Sequence, residues 1–182
     1  VQTCALPICI SPVETNLKDP SWLAWSRGGP HLAVGTIKGN LLIYNKSRKQ
    51  KIPILGKHSK KILCGAWSSD GSRLVLGSED KSLSVSNTEG ESLVHTDLKY
   101  MPLQTLFTRS MESTKAENLV SANLNGKSLL LYDYQNDKDD PMELTFAQRE
   151  GGTGCRYGDI VHHFWYQDHI AVVAFSGGYV LS

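Results

Sequence analysis

Two stretches of the chain align without a gap at an offset of 42 residues: AWSRGGPHLAVGTIKGNLLIYN, from Ala24 to Asn45, and AWSSDGSRLVLGSEDKSLSVSN, from Ala66 to Asn87. The alignment pairs Trp25 with Trp67, Leu32 with Leu74, Val34 with Leu76, Gly35 with Gly77 and Asn45 with Asn87. A period of about 40–45 residues built from short alternating strands is the signature of a β-propeller blade. Such a unit buries its faces against its neighbours and cannot do so alone. The repeat therefore constrains the fold more than any local motif does.

The unit recurs less cleanly further on. NLVSANLNGKSLLLYD, Asn118 to Asp133, carries the same second and third strands, with Leu129 to Tyr132 matching Leu41 to Tyr44. FWYQDHIAVVAFSGGYVLS, Phe164 to Ser182, opens a fourth unit with Trp165 at the end of a strand and Gly177-Gly178 in a turn. The expected fold is all-β: a partial propeller of about three and a half four-stranded antiparallel blades, with Trp25, Trp67 and Trp165 in equivalent places. The units are set at residues 21–61, 62–101, 102–159 and, truncated, 160–182, behind a non-repeat leader at 1–20. Within the leader, VQTCALPICI (1–10) has no initiating Met and no signal-peptide n-region, and it reads as a translated adapter sequence. Propellers close with about four to eight blades, so the chain reads as a piece of a longer protein.

Within each unit, Gly, Asp, Asn and Ser punctuate short apolar runs at intervals of roughly ten residues, which argues for strands over helices. The second strands (LAVG, LVLG, AVVA) are apolar at successive positions, as befits strands sandwiched between blades. Gly35 and Gly77 leave room for a bulky neighbour. KIPIL, Lys51 to Leu55, contains Pro53, which cannot donate to a ladder and suits an edge. RSMESTKAE (109–117) reads as a surface loop and REGGTGCRYGD (149–159) as a flexible turn.

A net charge of +1 gives no bulk attraction to nucleic acid. The four cysteines form no CxxC pair and read as reduced thiols. No apolar run approaches the roughly 18 residues that a membrane span needs. NGKSLLLYD fails as a phosphate-binding loop, because Ser121 stands where its first Gly is required and strand continues after it. His162 and His163 are neighbours on a strand and point to opposite faces, so with His169 they read as core or turn histidines and not as metal ligands. Nucleophile–base pairs and paired carboxylates are also lacking, so we expect no enzyme activity, cofactor, metal or small-molecule substrate. From Lys46 to Lys61 there are seven basic residues and no acidic one. That stretch is expected to form a basic rim centred on Arg48, Lys49, Lys51, Lys60 and Lys61, able to meet an acidic partner or an anionic membrane surface.

A Trp-Ser closing the first strand, the lead-in Gly56-Lys57-His58 and a hydrophobic third strand ended by a polar residue together resemble WD repeats. Where WD repeats carry Trp-Asp, this chain has Tyr44-Asn45, Ser86-Asn87 and Tyr132-Asp133. The resemblance implies that His58 bonds an Asp in the turn between second and third strands, and Asp80 is the one offered, at an expected distance of about 2.7–3.2 Å. LAVGTIKGNLLIYN, KIPILGKHSKKI and GSEDKSLSVSNTEGE further resemble the N-terminal propeller of the WD-repeat subunits of intraflagellar transport complex A. That family implies a non-catalytic scaffold in retrograde ciliary transport and ciliary cargo delivery, at the cilium, the ciliary base and in the cytoplasm. Its partners would be other subunits of the complex and membrane cargo adaptors. A WD-repeat adaptor of another assembly, such as a vesicle coat, is the alternative.

Overall fold

The computed structural model describes residues 13–108, 118–136, 141–146, 154–167 and 169–182. The loop expected at 109–117, the leader through residue 12 and part of the turn at 149–159 lie outside them. Fifteen strands and no helix occur among the described residues. Strands β1 (Pro20–Trp25), β2 (His31–Thr36), β3 (Leu41–Asn45) and β4 (Gln50–Ile54) make the first blade, paired in that order. The second is β5 (Ile62–Trp67), β6 (Leu74–Ser78), β7 (Ser82–Ser86) and β8 (Ser92–Asp97). The third is β9 (Pro102–Thr108), β10 (Leu119–Leu124), β11 (Ser128–Asp133) and β12 (Met142–Thr145). A three-stranded sheet follows: β13 (Ile160–Tyr166), β14 (Ile170–Phe175) and β15 (Val180–Leu181). All pairings are antiparallel.

Register places the tryptophans as the repeat predicts. Trp25 opposes Leu32, Trp67 opposes Leu74 and Trp165 opposes Ala171. In the third blade Phe107 opposes Val120 and takes the same place. The polar residue that ends each third strand shapes the turn after it. Asn45 Oδ1 accepts from the Arg48 N–H, Asn87 Oδ1 from the Glu89 and Glu91 N–H groups, and Asp133 Oδ1 from the Gln135 N–H. An amide oxygen does this as well as a carboxylate, so replacing Asp by Asn leaves the turn intact.

The three hydrophobic cores lie between blades, not within them. One joins Ala33, Leu41 and Ile43 of the first blade to Ile62, Leu74 and Leu76 of the second. The next joins Val75, Leu83 and Val85 to Phe107, Val120, Leu130 and Tyr132 of the third. The last joins Leu129 to Ile160, Val173 and Phe175. Successive residues of a strand point to opposite faces, and in the middle strands each face meets a different blade. This is why β6 and β7 are buried at every position.

One contact recurs at each seam. A Cβ on Gly35 would lie 2.8 Å from Ile62 Cβ, and one on Gly77 would lie 2.7 Å from Pro102 Cγ. Both neighbours open the first strand of the next blade. Asn123 holds the equivalent place in the third blade, and its Nδ2 donates to the Ile160 carbonyl at 3.0 Å. A side chain on Gly35 would meet another Cβ, which cannot swing away. Gly35→Ala is therefore expected to cost about 1–3 kcal/mol by overpacking, measured by urea unfolding. Gly154→Ala, where nothing lies within 4 Å of the added carbon, should stay within about 0.5 kcal/mol.

Candidate functional site

The seam between the first two blades has a polar half, and His58 is at its centre. The linker after β4 buries the ring to 3% exposure, against the serine face of β7. Nδ1 lies 2.9 Å from Ser82 Oγ and Nε2 lies 2.9 Å from Ser84 Oγ. Asp80 is in the turn before β7. Its Oδ1 accepts from the Ser82 N–H and hydroxyl at 3.0 and 2.5 Å, and its Oδ2 accepts from the Ser59 N–H at 2.8 Å.

The expected direct His58–Asp80 bond is not made. Nδ1 is 3.5 Å from Asp80 Oδ2, just beyond the expected range, while the Ser82 hydroxyl bridges Nδ1 and the other carboxylate oxygen, Oδ1. Burial alone would raise the Asp80 carboxyl, but the hydrogen bonds from Ser82 and Ser59 and the nearby imidazole bring it down to about 2. It is a carboxylate at neutral pH and can only accept. Ser82 must then give its single proton to Asp80 and accept from His58 Nδ1–H. Burial, opposed in part by the charge of Asp80, pushes His58 down to about 4. The neutral ring has a bare Nε2, which accepts from Ser84. The relay thus runs in one direction: Ser84 hydroxyl to His58 to Ser82 hydroxyl to Asp80.

A second polar seam joins the third and fourth blades. His163 is buried, its Nε2 is 2.8 Å from Ser121 Oγ, and Trp165 Nε1 donates to the same oxygen at 2.9 Å. Gln104 accepts from the His163 N–H and donates to the His163 carbonyl, both at 2.9 Å, as a strand neighbour would. His162 faces solvent, as alternation requires. Burial, reinforced by the charge of His162, pushes His163 down to about 4. No group of three or more His, Cys, Asp or Glu converges as metal ligands among the described residues.

The basic stretch runs along the outer strand β4 and the turns that flank it. Arg48 and Lys49 are exposed in the turn before β4, Lys51 lies within β4, and Lys60 and Lys61 follow it at the other end, beside the Gly39 turn. The five residues of β4 between the flanking turns span roughly 16 Å of chain. Acidic residues stand near both ends. Burial depresses His31, with Glu89 opposing and Arg48 adding to the shift, so Glu89 and Arg48 both act on one ring. At the far end the Glu79 N–H donates to the Lys61 carbonyl at 2.9 Å. Lys57 is partly buried and donates to Ser92 Oγ at 2.7 Å and to the Gly90 carbonyl at 3.2 Å.

Sequence reasoning missed Ser82, Ser84, Gln104 and Ser121. The signal for the serines was present in SLSVS: serine at alternate positions of a strand that the repeat places between two blades.

Comparison with known proteins agrees with this fold. The family model for the WDR19 first beta-propeller matches residues 9–182. The chain belongs to that family. It is 43% identical over 176 residues to WD repeat-containing protein 19 of Mus musculus, covering 94% of this chain and 12% of that protein. It is 27% identical over 164 residues to WD repeat-containing protein dyf-2 of Caenorhabditis elegans, covering 90% and 11%. The chain thus spans about an eighth of the length of the curated relatives it matches. Among solved structures, the Cps50 (Swd1) propeller domain of Myceliophteria thermophila superimposes with a TM-score of 0.70 at 13% identity, over 87% of this chain and 49% of that one. The C-terminal WD40 domain of Sif2 gives 0.66 at 18% identity, over 88% and 42%.

Both buried histidines sit below their ordinary value of 6.5. The unfolded chain therefore binds more protons than the folded one between pH 6.5 and 4, and stability falls as pH drops through that window. Each ring contributes about 3 kcal/mol to the fall. Urea titrations at stepped pH should show it, and His58→Gln should remove about half of the fall the two rings produce together.

Proposed function

We propose that the chain forms an arc of the first propeller of a non-catalytic scaffold subunit of intraflagellar transport complex A, acting in retrograde ciliary transport and delivery of ciliary cargo. The match of the WDR19 first-propeller family across residues 9–182 carries this reading. Similarity to the mouse, human and nematode relatives over 90% or more of the chain supports it. So does the way the fold uses its polar side chains. The buried His, Ser and Asn, with the half-buried Gln104, are spent in holding blades together, which leaves turns and outer strands to meet partners. The partners under this reading are other subunits of the complex and membrane cargo adaptors, and the protein resides at the cilium, the ciliary base and in the cytoplasm.

A tagged full-length protein, followed in ciliated cells, should concentrate at the ciliary base and along the shaft and co-purify with the complex. Accumulation on Golgi membranes instead would favour the vesicle-coat alternative.

The basic residues enter this reading as one rim along β4. Lys49→Glu, Lys51→Glu and Lys60→Glu together, in the full-length protein, should weaken assembly or membrane association at low salt, with thermal stability unchanged. Unaltered assembly and lipid binding would leave the lysines as a solvated edge.

A further inference from the structure

Between the first two blades the outer rim opens into a pocket of about 450 Å³, with the linker Gly56–Ser59 on one side and β8 on the other. β8 ends its sheet, so one edge of its backbone is free. β4, the corresponding strand of the first blade, carries Lys51 and Pro53, which discourage pairing. β8 carries neither Lys nor Pro over six residues. Alternation puts His95 and Asp97 on one face of β8, and Leu93, the extra residue of a register shift between Val94 and Ser92, is exposed as they are. His95 pairs with Ser84, and its ring lies 5.7 Å from that of His58, which fixes this face as the one turned to the first blade.

The charges in the pocket are unequal in what they can still bind. Both oxygens of Asp80 already accept hydrogen bonds, and Lys57 is committed to Ser92 and Gly90. His95 and Asp97 line the pocket, and the side chain of neither makes a hydrogen bond or ion pair among the described residues. The site therefore offers one uncommitted carboxylate beside a free strand edge, with a half-exposed leucine (47%) at the other end of the same strand.

We propose that this groove binds an extended partner segment that pairs along the free edge of β8, places an arginine or lysine against Asp97 and sets an apolar side chain on Leu93. The proposal deepens the reading of the chain as an interaction module and rests on it. Leu93 and Asp97 are four residues apart, roughly 13 Å along a strand, so the basic and apolar residues of the segment should also be four apart. Backbone pairing supplies affinity in such strand addition, and the side-chain pockets supply register and choice.

The test is a library of unstructured nonapeptides with Arg, Lys, Glu or Ala fixed four residues from a Leu, titrated against the chain by fluorescence anisotropy. Arg and Lys peptides should bind best. Asp97→Asn and Leu93→Ser should each weaken them about tenfold, while Glu89→Gln, in the neighbouring turn, should not. Melting temperatures of all three variants should match the parent, since these side chains are exposed. Equal binding of Glu peptides, indifference to Asp97→Asn, or no peptide binding at all would overturn the proposal. Ciliary localisation of full-length protein carrying the same changes is scored separately. Retained localisation without peptide binding sinks the groove and leaves the functional reading standing.

Discussion

Among the described residues, neighbouring blades share their apolar cores, each built from the facing surfaces of two sheets. The three cores are consequently seam cores. A four-stranded antiparallel sheet with both faces wet would lose the burial that holds it, so the unit of stability is the pair of blades and not the blade. The glycine at the end of the second strand follows from the same constraint. It sits where the first strand of the next blade comes closest, and a side chain there would keep Ile62 or Pro102 out. Asn123 meets the constraint differently, by bonding the approaching backbone instead of making room for it.

The seams differ in chemistry. Between the second and third blades the contact is almost wholly apolar. Between the first and second a buried histidine sits between two serine hydroxyls, and between the third and fourth one bonds the single Ser121 hydroxyl, its Nδ1 left without a partner among the described residues. A buried imidazole without partners would be costly, and at His58 the serines remove that cost only when each proton points one way. In His58 the direction is forced by the ionised Asp80 at the end of the relay. Such polar contacts are directional, whereas apolar packing is not. They fix the rotation of one blade against the next more tightly than leucines could.

Much of this could be read from the chain before any coordinates. The 42-residue offset gave strand order, turn positions and the equivalence of Trp25, Trp67 and Trp165, and Gly35 and Gly77 pointed to close approach. What the sequence hid is whatever depends on both faces of a strand being buried. SLSVS looks half-solvated by period, yet its serines are the inner wall of a polar seam. His58 and Asp80 were legible as a pair, but the hydroxyl between them belongs to a residue that a strand pattern assigns to solvent. The basic stretch was legible as an outer strand with its flanking turns, but the approach of Glu89 and Glu79 from the next blade was not.

The central claim is that neighbouring blades stabilise each other through shared cores. Native-state hydrogen exchange on Ile62→Ala tests it most directly, since Ile62 belongs to the second blade and packs on Gly35, Ala33 and Leu41 of the first. Shared seams predict that amides of β2 and β3 lose protection by the same free energy as those of β5 and β6, about 2–5 kcal/mol for a truncation of this kind. Loss confined to β5 and β6, with β2 and β3 unchanged, would mean that each blade stands alone and would contradict the account.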